Sequence, residues 1–451
     1  MANFIIYNGY YTVDGVEVAN PTNATIIGTG ANDVFVTSTP AVTNVKIRAG
    51  AGNDILKGTA GGRLDGEAGN DTFDLTATSG VYIGGAGDDL YKVYDFAYTG
   101  LSINEIGGGT DTVFSQQNFS LSTGAAGINL NSSSIENLTF DALSAAIVGE
   151  GNNLNNQIIG NQQNNILIGL AGADTIFGGL GNDIIDGGAD NDQLFGNQGD
   201  DLLIAGTGTD TVTGGVGNDR YIIDSLDTVV ELAGEGTETV DVTVLTAGGT
   251  WVTSAEVEFI NIAGTNAANV TQTNAVDTTI IGNSAANTLI GGAGIDILKG
   301  KAGNDILTGG AGPNGFEFGG NALAVDPVTG FLEEIGVTLG LTGTATNTIG
   351  KDTITDFVSG IDAIGLNVAT FTAVAGFAGS DLSAVANGFT VVNQATNAGI
   401  DSQNFYFVYN QGTGDLFYNV NLSAFGSGGG GIFANLIAGT ALAATDIILF
   451  A

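Results

Sequence analysis

Aspartates recur in this chain at a spacing that suggests metal chemistry. Asp174, Asp183, Asp192, Asp201, Asp210 and Asp219 stand at steps of nine, and Asn156 and Asn165 carry the series backwards. Two residues after each comes a large apolar side chain: Ile158, Leu167, Ile176, Ile185, Leu194, Leu203, Val212 and Tyr221. Carboxylates that converge along one edge raise each other's energy unless a cation intervenes. A hard divalent cation taking six to eight oxygens, from carboxylates and backbone carbonyls together, is calcium. Multiple calcium ions are therefore expected, each between coils, with carboxylates two repeats apart sharing a row: Asp174 with Asp192, Asp183 with Asp201, Asp192 with Asp210 and Asp201 with Asp219.

Such an arrangement needs a backbone that turns once in every repeat. Glycines supply it, because they accept positive φ and close backbone approach, so "GGLGND" from Gly178 to Asp183 can form a tight turn with exposed carbonyls. The three residues after the turn suit a very short strand with its central side chain inward. Two such units make one coil, and stacked coils bury the apolar column. Two shorter runs follow the same pattern. Asp54, Asp71 and Asp89 are the metal candidates of the first, with the spacing one residue short between Asp54 and Asp71; Asp296 and Asp305 are those of the third, flanked by Asn287 and Asn314. An amide is a weaker calcium ligand than a carboxylate, so the third run is expected to hold fewer ions or looser ones.

This grammar resembles the calcium-binding β-roll of the RTX, or haemolysin-type repeat, proteins, whose motif is G-G-x-G-x-D-x-U-x with U large and apolar. The resemblance spans roughly residues 24–451 and is densest over 152–224. The segments "KDTITDFVSGIDAIGL" (Lys351 to Leu366) and "FYFVYNQGTGDLFYNVNLSAFGSGGGGIFANLIAG" (Phe405 to Gly439) resemble the C-terminal caps of that family. The final "ATDIILFA" is similar to the uncleaved signal read by type I secretion machinery. The start, "MANFIIYNGYY", lacks the basic region and cleavage site of a secretory signal peptide, so export by the other route is the expectation.

Composition agrees with an all-β protein: calcium-binding parallel β-roll or β-solenoid runs joined by β-rich linking modules, with a β-rich cap. Seventy-four glycines, four prolines and 43% apolar residues are too glycine-rich for ordinary helices and too apolar for disorder. The chain divides into an N-terminal strand segment at 1–25, a first run at 26–92, a linking module at 93–150, the main β-roll at 151–224, a second linking module at 225–276, a third run at 277–324 and the cap at 325–451. The linkers match each other too: "EIGGGTDTV" at Glu105 pairs with "ELAGEGTETV" at Glu231, and further matches along the module keep a nearly constant offset. Duplication of that kind predicts a continuous solenoid. The one short helix candidate is "DLSAVANG" (Asp381 to Gly388), and a hairpin is expected to turn at Gln411 to Asp415.

Nine Lys and Arg against 47 Asp and Glu give a net charge of −38, which argues against nucleic acid or an anionic membrane as partner. No apolar run approaches the length of a membrane span, so no membrane insertion is expected. The absence of histidine and cysteine excludes zinc-protease, Ser-His-Asp and Cys-His chemistry. Paired carboxylates of the glycosidase type remain, but Glu256 and Glu258 read as the solvent face of a strand and Glu333 and Glu334 as a loop. No enzyme is expected. The expected function is an extracellular structural protein that polymerises with copies of itself into a surface layer, fibre or matrix, since scarce Met, Trp and basic residues resemble bacterial surface-layer proteins. Two alternatives are a secreted adhesin or glycan-binding protein, with cell-surface polysaccharide as its partner, and a carboxylate-based glycan-active enzyme. Sugars could stack on aromatics of "YNGYYTV" (Tyr7 to Val13) or "FYFVYN" (Phe405 to Asn410), though strands of a core or of a subunit interface are the stronger reading of both stretches. The uncharged, aromatic "NFIIYNGYYTV" (Asn3 to Val13) reads as a strand seeking a partner on another subunit.

Overall fold

The computed structural model describes residues 25–318 apart from 38–45, 58–61, 95–96, 131–133, 244–246 and 254. It also describes the strands within 3–19 and, beyond 318, residues 323–325, 332–334, 352–359, 361–367, 389–392, 407–419, 430–438 and 440–450. Two compact units emerge: Met1–Tyr221 with Leu226–Val230, and Ile222–Ser225 with Glu231–Ala451.

The first unit is a parallel β-solenoid with two strand stacks. In the run of strict repeats one stack holds Gln157–Ile159, Thr175–Leu180, Gln193–Gln198 and Thr211–Val216, each parallel to the next. The other holds Val148–Glu150, Ile166–Ala171, Ile184–Ala189 and Leu202–Thr207. Partners stand two repeats apart, as in Ile176 beside Leu194 and Ile185 beside Leu203. Every member of the apolar column from Ile158 to Tyr221 is fully buried. From Ile166–Ala171 to Thr211–Val216 the strands have six residues, twice the expected length. Thr175–Leu180 runs on through both glycines of the next motif, because the first of them is small enough to face inward behind the apolar residue.

The linking module at 93–150 does not interrupt this stack. Gly100–Asn104, Thr112–Ser115 and Asn137–Phe140 add to the same ladders. The N-terminal strand Asn3–Tyr7 finds its partner inside the chain, correcting the expectation of an unmet strand. It lies parallel to Val34–Thr37 on one edge and antiparallel to Tyr10–Val13 on the other, and Val16–Ala19 completes a meander.

The second unit repeats the two-stack plan. Thr239–Thr243, Phe259–Ala263, Thr279–Ile281, Ile297–Lys299 and Gly315–Phe318 form one stack; Gly249–Thr253, Ala268–Gln272, Thr288–Gly292 and Ile306–Gly310 form the other. The region expected to be a cap first continues the solenoid, with Asp352–Ile354 beside Ile306–Gly310 and Ala363–Asn367 beside Gly315–Phe318. The terminal Ile447–Phe450 then joins Ala363–Asn367 in parallel, so the last stretch is a strand with Ile447 buried. The hairpin forms as expected: Phe407–Asn410 and Asp415–Asn419 run antiparallel around residues 411–414.

Other expectations change. Glu333 and Glu334 belong to the strand Leu332–Glu334, not a loop. Glu256 and Glu258 lie in the segment before Phe259–Ala263, not on a strand, and both are half-buried acceptors, of Asn274 Nδ2 at 3.2 Å and of the Glu238 N–H at 2.9 Å. The helix candidate at 381–388 lies outside the described residues.

Candidate metal centres

Each column aspartate sits at the end of a glycine turn, just before its strand begins. Gly179 and Gly181, with φ of 117° and 105°, set the turn that delivers Asp183. The carboxylate is then held by a reciprocal staple between successive coils. Asp192 Oδ1 accepts the N–H of Asp174 at 2.8 Å, and the N–H of Gln193 returns to the Asp174 carbonyl at 2.8 Å. The same side-chain bond joins Asp183 to Asp201, Asp192 to Asp210 and Asp201 to Asp219 at 2.7 to 2.8 Å. The four rows drawn from the spacing are therefore rows in space.

The staple uses only one oxygen. Oδ2 of Asp54, Asp71, Asp89, Asp174, Asp183, Asp192, Asp201, Asp296 and Asp305 is buried and accepts no hydrogen bond. A buried carboxylate oxygen without a donor costs heavily unless positive charge reaches it. What surrounds that oxygen is a cradle over the motif's first glycine. A Cβ on Gly178 would collide with Asp183 Oδ2 and come within 2.8 Å of the Gly196 carbonyl oxygen of the next coil. Gly66, Gly187, Gly196 and Gly291 repeat the pair, an aspartate Oδ2 with a backbone carbonyl from the following coil. Carboxylate and carbonyl oxygens crowding one point, with no hydrogen-bond donor to the carboxylate oxygen, are the donor set of calcium.

The asparagines in the same column behave differently. Asn156 Nδ2 donates to the Glu136 carbonyl at 3.0 Å, Asn165 Nδ2 to the Ala146 carbonyl at 3.1 Å and Asn287 Nδ2 to the Ala268 carbonyl at 3.1 Å. Their Oδ1 atoms accept the N–H groups of Asn152, Asn161 and Asn283 within the same turn. An amide carries its own protons into the oxygen-lined space, whereas a carboxylate brings none. Asparagines satisfy their own polar atoms; the aspartates need a cation or a proton at the second oxygen.

Electrostatics point the same way. Burial pushes the carboxyls of Asp174 and Asp201 up to about 7 and those of Asp183 and Asp192 up to about 6, against backbone N–H bonds that hold them down. In the first run burial raises Asp54 to about 6 and Asp71 and Asp89 to about 7. Asp296 and Asp305 rise to about 6 for the same reason. Near neutral pH these groups sit where a proton and a cation compete.

The short step between Asp54 and Asp71 does not break the row. The Asp54 N–H reaches Asp71 Oδ1 at 2.7 Å across 17 residues. Asp210 and Asp219 are buried and stapled like the others. Several ladder members escaped the sequence reading. Asp33 donates its N–H to Asp54 Oδ1, Asp89 to Asp111 Oδ1, Asp111 to Glu136 Oε2, and Asp210 to Asp227 Oδ1. At the far end Asp305 donates to Asp352 Oδ1 and Asn314 to Asp362 Oδ1, across 47 and 48 residues. Asp352 also carries a buried Oδ2 that accepts no hydrogen bond, and burial followed by the charge of Asp305 raises its carboxyl further than the others. The signal was present: Asp33, Asp111, Asp227 and Asp352 each precede a Val or Thr and then an apolar residue, as in "NDVF", "TDTV", "LDTV" and "KDTI". A second, exposed ladder lies one residue earlier. Asn164 Oδ1 accepts the Asn182 N–H and Asn182 Oδ1 that of Asp200, at 3.0 and 3.2 Å.

Of the two aromatic stretches, the second has the core role that is the stronger reading. Phe407 and Tyr409 are fully buried, so "FYFVYN" cannot present them to a sugar, and the side chains of Tyr7 to Val13 lie outside the described residues.

A family model of the RTX calcium-binding nonapeptide repeat matches the chain in four copies, at residues 44–62, 150–185, 186–221 and 281–315. Asp54, the six aspartates from Asp174 to Asp219, Asp296 and Asp305 fall inside these copies; Asp71 and Asp89 fall between them. No curated protein matches the chain.

Proposed function

We propose that this protein, whose RTX nonapeptide repeats bind calcium, is an extracellular structural protein that assembles with copies of itself into a surface layer, fibre or matrix. The observation that carries this reading is the row of buried carboxylate oxygens lacking a donor, one at coil after coil. A fold with that requirement suits a chain that leaves the cell unfolded and closes around calcium outside. Repeats of this type are typical of secreted proteins, and among the described residues no helix is long and apolar enough to cross a membrane. Export by a type I route goes with that reading.

Stacks of repeating parallel ladders support a scaffold role. Open ladder ends favour self-association: among the described residues Val16–Ala19 ends its sheet with Tyr10–Val13 on one side only. A contact there with a different surface of the next copy would propagate. The glycan-binding alternative has one specific point of support, a shallow cavity of about 320 Å³ lined by Lys92, Tyr94, Phe114, Gln116 and Asp141 among others.

Mass photometry of the purified full chain, with calcium and with chelator, tests the assembly. Calcium is expected to produce species much larger than one chain. Chains that fold in calcium yet remain single would overturn the structural reading and turn attention to polysaccharide binding at that cavity.

A further inference from the structure

At one coil the cradle departs from its usual composition. In the regular coil the second oxygen over the first glycine is a neutral carbonyl, as the Gly84 carbonyl is over Gly66. Over Gly84 itself that place is taken by a carboxylate. A Cβ on Gly84 would collide with both Asp89 Oδ2 and Glu105 Oε2 and would meet the Tyr91 hydroxyl at 2.6 Å. The strand register explains the substitution: Ile83 pairs with Asn104, which sets Glu105 in the position of the next coil's first glycine.

Glu105 is fixed there by four donors. Its Oε1 accepts the N–H groups of Gly85 at 3.1 Å, Ile106 at 2.9 Å and Gly107 at 3.1 Å, and its Oε2 accepts the Tyr91 hydroxyl at 2.7 Å. Asp111 completes the group, its Oδ1 accepting the Asp89 N–H at 2.8 Å. Oxygens of Asp89, Glu105 and Asp111 all lie within 4.8 Å of one another, and all three side chains are buried. Asp89 is 1% exposed, and its Oδ2, aimed at Glu105 over Gly84, accepts no hydrogen bond.

We propose that Asp89, Glu105 and Asp111 form a cation site of a second kind, with three carboxylates where the repeats offer two and a carbonyl, which holds a calcium-class cation more tightly than the repeat sites. Three buried carboxylates with oxygens within 4.8 Å of one another repel strongly, and a multivalent counter-charge among them offsets that repulsion. An all-oxygen donor set with that much negative charge selects a hard cation, and affinity rises with the count of charged ligands. The site lies outside the four matched repeat copies. The tandem copy of the module keeps the ingredients in sequence, with Gly214, Asp219, Tyr221, Glu231 and Glu238 matching Gly84, Asp89, Tyr91, Glu105 and Asp111. Glu231 and Glu238 are buried as well.

Native mass spectrometry of the full chain across free calcium concentrations tests the site. Glu105→Gln, Asp111→Asn and the double variant should each lack one ion at calcium levels that saturate the wild type, the ion lost being among the first to bind. The double variant should also lack only one, because the residues share it. An unchanged ion count, as when protons alone neutralise the cluster, or two ions lost in the double variant, would overturn the proposal. Should these variants fail to fold, Tyr91→Phe keeps the packing. Terbium bound in place of calcium and excited through tyrosine should emit less in Tyr91→Phe than in the wild type at the first equivalent added, and equal emission would overturn it.

Discussion

Replacing Asp192 by asparagine should stabilise the protein without calcium and destabilise it with calcium. Asp192 belongs to two rows, since its Oδ1 accepts the Asp174 N–H at 2.8 Å and its own N–H donates to Asp210 Oδ1 at 2.7 Å. Its Oδ2 and the Ala205 carbonyl oxygen lie at 2.5 and 2.7 Å from a Cβ built on Gly187, so the cradle over that glycine is directly its own. One ion present at a hundred times its dissociation constant stabilises the folded state by about 2.7 kcal/mol. Weakening the ions on both sides of Asp192 should therefore cost about 3 to 5 kcal/mol in calcium. In chelator the balance reverses. Asn165, in the same column, shows what an amide does there, donating to a carbonyl and accepting an N–H. A neutral hydrogen bond contributes about 1 kcal/mol, and the buried charge is removed as well. Asp192→Asn should then gain about 1 to 2 kcal/mol over the wild type. Asn314→Ala is the comparison, since Asn314 accepts the Asp296 N–H and donates to the Gly310 and Gly312 carbonyls, contacts with no dependence on an ion. It should lose a similar, small amount, about 1 to 2 kcal/mol, in both conditions. Urea unfolding of the three proteins in calcium and in chelator at pH 7.5 measures all of this. An Asp192→Asn effect of the same sign and size in both conditions would refute the shared-row account.

The raised carboxyls set a pH dependence. Folded Asp174 and Asp201 at about 7 hold protons that an unfolded aspartate at 3.8 has released, so the metal-free fold should lose stability as pH climbs from about 4 to about 7. Calcium must displace those protons; calorimetry in buffers of different ionisation heat should show proton release at pH 6 that vanishes by pH 8.5, and buffer-independent heats at pH 6 would contradict it. Gly178→Ala should remove one ion while leaving the Asp192 row intact, because its Cβ would strike Asp183 Oδ2; an undiminished ion count by native mass spectrometry would show that the cradle is not the site.

Much of the architecture can be read from the residues because two columns share one period. The inward column from Ile158 to Tyr221 and the four aspartate rows need only the arithmetic of the repeat, and both occur in space as the spacing implies. What escaped was whatever breaks the period. Asp352 stacks on Asp305 after an excursion of 47 residues, and Glu105 takes a glycine's place through strand register, neither of which spacing can reveal. The N-terminal strand misled for another reason: uncharged edges look alike whether their partner is Val34–Thr37 or another molecule. The division of labour between aspartate and asparagine is likewise invisible in sequence, since it depends on whether an amide proton reaches a carbonyl of the neighbouring coil.

The central claim is that cations hold the aspartate coils together. Hydrogen exchange read by mass spectrometry tests it most directly, comparing peptides across residues 169–221 with calcium, with chelator, and with chelator followed by calcium or magnesium. The account predicts that strand amides such as those of Thr175–Leu180 and Gln193–Gln198 lose protection on chelation at pH 7.5 and regain it with calcium but not with magnesium, whose strict octahedral demand these mixed cradles do not serve. Protection unchanged by chelation would contradict it.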